Sequence, residues 1–115
     1  MSSPFQGMLE SLMRQRGALA TMIVDEHEGM IVDALLQIGQ EGDRVAALAA
    51  SLHRKARQSA DAAGLGAVSF MQLEARDGHI CAAGRDNLVL VVVLAPTANI
   101  GLVRVEMLKA VQALP

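Results

Sequence analysis

The stretch Leu88 to Ala95, LVLVVVLA, constrains this chain more than any other. It is apolar throughout, holds three consecutive valines, and lies between Asp86-Asn87 and Pro96. A run this short between breakers reads as a strand buried on both faces. Val91, Val92 and Val93 are stiff at χ1 and suit a pleated sheet better than a helix. A strand with no polar face needs cover above and below, and the rest of the chain can supply it.

Taken in order, Ser3-Pro4-Phe5-Gln6 reads as a helix start, with Ser3 as cap, Pro4 at the first helical position and Gln6 as a capping-box partner. Phe5, Met8, Leu9, Leu12 and Met13 then share a face, and Gly17 ends the helix. Ala18 to Val24 and Met30 to Leu36 form an antiparallel hairpin around Asp25-Glu26-His27-Glu28-Gly29. Leu19, Thr21 and Ile23 point to one face, and Ala20, Met22 and Val24 to the other. Both sets are mainly apolar, so the hairpin too lies between two layers. Asp43 caps a long helix from Arg44 to Ala63, which Gly64 ends. Its core-facing stripe is expected to be Val45, Leu48, Leu52, Ala56 and Ala63, with Ala49 beside it. Ala46, Ala50, His53 and Arg57 then form a second stripe, whose small residues allow another helix to approach.

Ala67 to Glu74 reads as a strand, Arg76-Asp77-Gly78 as a hairpin turn, and His79 to Ala83 as the return. Gly84 to Asn87 turns into the valine-rich run. After Pro96, Thr97 or Asn99 caps a last helix that buries Ile100, Val103, Met107, Val111 and Leu114. Gly101, in its first turn, suggests close packing. The order is α-β-β-α-β-β-β-α. It predicts an α+β fold with a five-stranded, mostly antiparallel sheet between helices, in a single domain over residues 1–115.

Composition excludes several classes of function. A net charge of −2 and a pI near 5.8 give no electrostatic case for nucleic acid. Two Phe and no Tyr or Trp leave no platform for stacking bases. No apolar run is long enough for a bilayer span, and the N-terminus does not read as a signal peptide. The lone Cys81 suits a reducing compartment, so a cytoplasmic location is expected. With 52% hydrophobic and 19% charged residues, excess apolar surface points to association with another chain.

No constellation for chemistry emerges. Gly64-Leu65-Gly66 is too short for a phosphate loop and precedes a strand. Asp25, His27 and Glu28 have metal-binding side chains, but one exposed turn does not fix their geometry. Cys81 lies inside a strand and reads as a small apolar residue. Asp33 interrupts an apolar strand, as an edge or hydrogen-bonded carboxylate would. No catalytic residue, metal or cofactor is expected. The chain reads as a protein that acts by contact.

Three segments carry a resemblance to the roadblock family, known also from dynein light chains. They are Met22-Ile23-Val24-Asp25 running into Gly29-Met30-Ile31-Val32, the long helix from Asp43, and Leu88 to Ala95 followed by Ala98-Asn99-Ile100-Gly101-Leu102-Val103-Arg104. The resemblance implies first and last helices on one sheet face and the middle helix on the other. It implies a homodimer joined through the strand around Ala67 to Glu74, with Val68, Phe70 and Gln72 at the seam. The middle helices would lie side by side through Ala46, Ala50, His53 and Arg57. It further implies a Ras-like small GTPase as partner, and helical phase places Arg54, Lys55, Gln58 and Asp61 on the exposed side of the paired middle helices as the expected docking platform. An adaptor role in a motor or filament assembly is the alternative. So is a small-molecule sensor with a pocket lined by Met22, Val24, Val91 and Met107.

Overall fold

The computed structural model describes residues 3–114. Helix α1 spans Gln6–Met13, strands β1 and β2 span Ala18–Asp25 and Met30–Leu36, and helix α2 spans Gly42–Ala62. Strands β3, β4 and β5 span Met71–Ala75, Gly78–Arg85 and Leu88–Leu94, and helix α3 spans Ile100–Gln112. The strands form one sheet in the order β2-β1-β5-β4-β3, and every neighbouring pair is antiparallel. The valine-rich run is thus the central strand, with Val91 opposite Met22 on one side and Ala82 on the other.

Alternation along β5 builds two cores. Leu90, Val92 and Leu94 join Ile23, Cys81 and Ala83 beneath α1 and α3, which contribute Leu9, Leu12, Val103 and Met107. Val89 and Val91 join Ala20, Met22, Val24 and Ala82 beneath α2, which contributes Ala46, Ala49 and Ala50. Each fully buried Leu, Val or Met in these layers contributes about 1.5–3 kcal/mol of transfer free energy. The sheet is therefore walled by helices on both faces, as its apolar strands require.

Local chemistry sets the element ends. Ser3 Oγ accepts from Phe5 N at 3.0 Å, but the expected capping box does not form. Gln6 turns instead to Glu10, with Nε2 donating to Oε1 at 2.9 Å. Helix α2 begins at Gly42, so Asp43 lies in the first turn and caps nothing. There it still offsets the helix dipole. A methyl on Gly42 would stand 2.8 Å from a Leu36 methyl, so a larger residue there would have to displace the Leu36 side chain. At the other end Gly64 takes φ +72, Leu65 N donates to Ala60 O and Gly64 N donates to Asp61 O. That pair of bonds closes the helix with a left-handed residue. Asn99 caps α3, its Oδ1 accepting from Leu102 N at 3.1 Å. Gly101 is exposed, and an added methyl would meet only Asn99, so the close packing expected there is absent.

The strand expected over Ala67 to Glu74 is shorter. Regular pairing begins at Met71, opposite Ala82, and runs to Ala75 opposite Gly78. Phe70 turns toward the α1 and α3 layer, where the Arg104 guanidinium sits 5.5 Å from its ring centre. β2 also departs from regular pairing. Ile23 faces Asp33 while Val24 faces Ile31, so Val32 bulges out, and Asp33 Oδ1 accepts from Ala34 N.

Candidate functional site

Helix α2 and the β3 edge hold the features that an interaction surface needs. α2 carries apolar residues all along its length, and only one stripe can face the sheet. That stripe is Ala46, Ala49, Ala50 and His53, all buried. Leu48 is 46% exposed, Leu52, Val45 and Ala56 are half-buried, and Ala63 is exposed. The phase expected from the leucines is therefore rotated. Ala46, Ala50 and His53 pack on their own sheet, so they are not a surface that a second helix can reach. Only Arg57, from that stripe, remains open to solvent at 51% of its side chain.

Two physical reasons select this phase. The sheet face beneath is covered by Ala20, Met22, Val24, Ala82, Val89 and Val91, and a helix with alanines on its inner face approaches it closely. Gly29 and Gly84 show how closely: a methyl on Gly29 would meet Ala47 Cα at 3.5 Å, and one on Gly84 would meet His53 Cε1 at 2.7 Å. The second reason is Glu26. This residue of the β1–β2 turn is 4% exposed and needs partners for its charge.

His53 Nδ1 meets Glu26 Oε2 at 2.5 Å, and Arg57 Nη2 donates to Glu26 Oε1 at 2.5 Å. Arg54 Nη1 donates to the Glu26 carbonyl oxygen at 3.1 Å, and Glu26 N donates to the Asn87 carbonyl at 2.9 Å. Burial alone would raise the Glu26 carboxyl, but the Arg57 and His53 hydrogen bonds overcome it and hold it below the usual carboxylate range. Arg57 is pushed up in return. The His53 ring lies against Gly84, with Nε2 buried and without a hydrogen-bond partner among the described residues.

The neighbouring turn is braced as well. Asp25 Oδ1 accepts from Glu28 N and Asn87 Nδ2, and Asn87 Oδ1 accepts from His27 N. Asp25 is lowered by the Glu28 backbone bond first and the Asn87 bond second. Asp25, His27 and Glu28 thus serve turn geometry, and among the described residues no three metal-binding side chains converge. Sequence reasoning missed Glu26 altogether. Its signal was a His and an Arg four residues apart on an alanine face, which calls for an acid beneath the helix.

The remaining expected residues fall in two places. Lys55, Gln58 and Asp61 are exposed and Arg54 is half-buried. Arg57, Gln58 and Asp61 line a shallow groove with Gly66 and Ala67. Val68 and Phe70 lie before β3 and are half-buried, while Gln72 is exposed within it. Register assigns the faces of β3: Met71 and Leu73, opposite Ala82 and Ile80, lie on the α2 side. Leu73 is 41% exposed there. The expected sensor pocket is not formed. Met22, Val24 and Val91 are fully buried under α2, and Met107 is fully buried on the opposite face of the sheet. Burial pushes the Cys81 thiol up to about 11, which suits a core residue rather than a nucleophile.

The fold and surface together define a class: a small helix-walled antiparallel sheet with one regular open edge and a long, partly exposed helix beside it. The Roadblock/LC7 domain family model matches residues 5–95, and the chain belongs to that family. Its structure is similar to a Roadblock/LC7 domain from Streptomyces avermitilis, with TM-score 0.85, 18% identity, and coverage of 96% of this chain and 94% of that one. It is also similar to the gliding protein MglB of Thermus thermophilus, with TM-score 0.83, 20% identity, and coverage of 99% and 90%. For MglB of Myxococcus xanthus the values are TM-score 0.80, 20% identity, and coverage of 96% and 93%. At these identities the likeness is one of fold. No curated protein matches the sequence significantly. No helix among the described residues is long and apolar enough to cross a membrane.

Proposed function

We propose that this protein is a non-catalytic, homodimeric regulator of a Ras-like small GTPase. One observation carries the reading: apolar residues stand exposed on α2 and β3, on the same side of the sheet, beside an unpaired edge. Leu48 and Leu73 are each more than 40% exposed, and Leu52, Met71, Ile80 and Val93 are only half-buried. A two-fold pairing of β3 with its copy, centred on Leu73, sets Gln72 opposite Glu74 and Met71 opposite Ala75. No like charges then meet across the seam. The same pairing removes an open edge and brings the outer flanks of the two middle helices together through Leu48 and Leu52. β2, the other edge, is the poorer joint, because the Val32 bulge and Asp33 break its regularity.

In this arrangement the polar flank of α2, with Arg54, Lys55, Gln58 and Asp61, remains available to a partner. MglB-like folds and the family's implied partners support a small GTPase there. Incubating the purified chain with the Ras-like GTPases of its own genome, in GDP and GTP-analogue forms, tests the reading. A nucleotide-dependent complex at micromolar concentration is expected. Failure of every such GTPase to bind in either state would sink it.

A further inference from the structure

The network around Glu26 leaves guanidinium donors to spare, although the turn beneath also carries Asp25 and Glu28. Arg54, Lys55 and Arg57 place three of the chain's ten basic residues within four positions, in a molecule of net charge −2. Glu26 offers one carboxylate to this group, and Asp61, which also acts on Arg57 through space, offers a second, more distant one. A guanidinium has five N–H donors. Arg57 uses Nη2 on Glu26 Oε1 and keeps half of its side chain in solvent, and Arg54 uses Nη1 on the Glu26 carbonyl. Both forks are therefore anchored on one buried residue, side by side, with donors unspent. Arginine ordinarily loses much rotamer freedom when it binds, and an arginine already held in place loses less.

We propose that Arg54 and Arg57, positioned by Glu26, form a preset two-guanidinium anchor for carboxylate side chains on an acidic patch of a protein partner. The proposal rests on the GTPase-regulator reading only for which protein carries that patch. The anchor lies along one flank of α2, over the β1–β2 turn, with half of the Arg57 side chain open to solvent. It matches carboxylates spread over a partner surface, which a guanidinium can hold through two parallel bonds. Glu26 acts through the arginines and touches no partner itself.

The test measures binding of the full chain to its Ras-like GTPase and to a fluorescent deca-glutamate peptide, at low and high salt. Arg54→Ala and Arg57→Ala are each expected to weaken binding about tenfold and flatten the salt dependence. Glu26→Gln separates positioning from simple charge. Removing a negative charge should tighten binding to an acidic partner if charge alone matters, whereas the anchor predicts weaker GTPase binding. Unchanged or tighter binding overturns the role of Glu26. If this variant loses its cooperative melt, Arg57→Lys replaces it. Charge is kept, a lysine cannot hold Glu26 and a partner carboxylate together, and unaltered affinity overturns the anchor. Arginine-dependent binding of the peptide without any GTPase binding would sink the GTPase reading and leave the anchor standing. Binding of neither probe, or competition by micromolar inorganic phosphate, would overturn the anchor itself.

Discussion

Single residues carry the sharpest energetic consequences. Glu26 is buried with its charge paired to His53 and Arg57, and deleting one partner of such a group strands the others. Glu26→Ala is expected to cost roughly 3 kcal/mol in urea unfolding. The sign of its pH dependence follows from a carboxyl held below its ordinary value of 4.5. Its contribution is complete above that pH and is lost as acid protonates the folded protein. The stability gap between wild type and Glu26→Gln should therefore narrow as pH falls from neutrality to below 4.5. A gap that stayed constant would mean that the carboxylate charge does not stabilise the fold. Cys81, buried in β4 with its thiol near 11, should react with a thiol reagent only as fast as the protein opens. Fast labelling of the native protein would contradict its place in the core.

At the scale of elements, α2 is the part whose position decides the surface. Gly84→Ala would drive a methyl to 2.7 Å from His53 Cε1 and push the helix off β4. A loss of about 1–3 kcal/mol is expected, read as a lower denaturant midpoint. The strands were legible from the sequence because their signals are local. Apolar runs with β-branched residues between breakers marked β1, β2 and β5, the Asp77-Gly78 turn marked β4, and alternation placed Ile23 and Met22 on opposite faces. The face of α2 was not legible, because hydrophobic periodicity alone assumes that the largest apolar residues go inward. Here a sheet face rich in Val and Ala accepts alanines, and a buried acid from a distant turn selects His53 and Arg57. Neither that surface nor the acid is written in the helix itself. β3 was overextended for a related reason: Val68 and Phe70 have strand chemistry, but Phe70 belongs to the layer beneath α3.

The whole molecule is a sheet with cover on both faces and unequal edges. β2 is bulged and interrupted by a carboxylate, whereas β3 is regular and flanked by exposed leucine. The proposed dimer closes the β3 edge and joins the outer flanks of α2, so in this proposal the dimer and the docking surface are one construction. Leu73→Asp should break it without disturbing either core, since that side chain is already open to solvent in the single chain. The most direct test is the mass in solution by sedimentation equilibrium. Twice the 12.1 kDa of one chain is expected at micromolar concentration, falling to a single chain for Leu73→Asp, which still melts cooperatively but at a lower temperature because association no longer supports the fold. A wild-type protein that stays at 12.1 kDa across that range, with the β3 amides exchanging freely, would contradict the dimer.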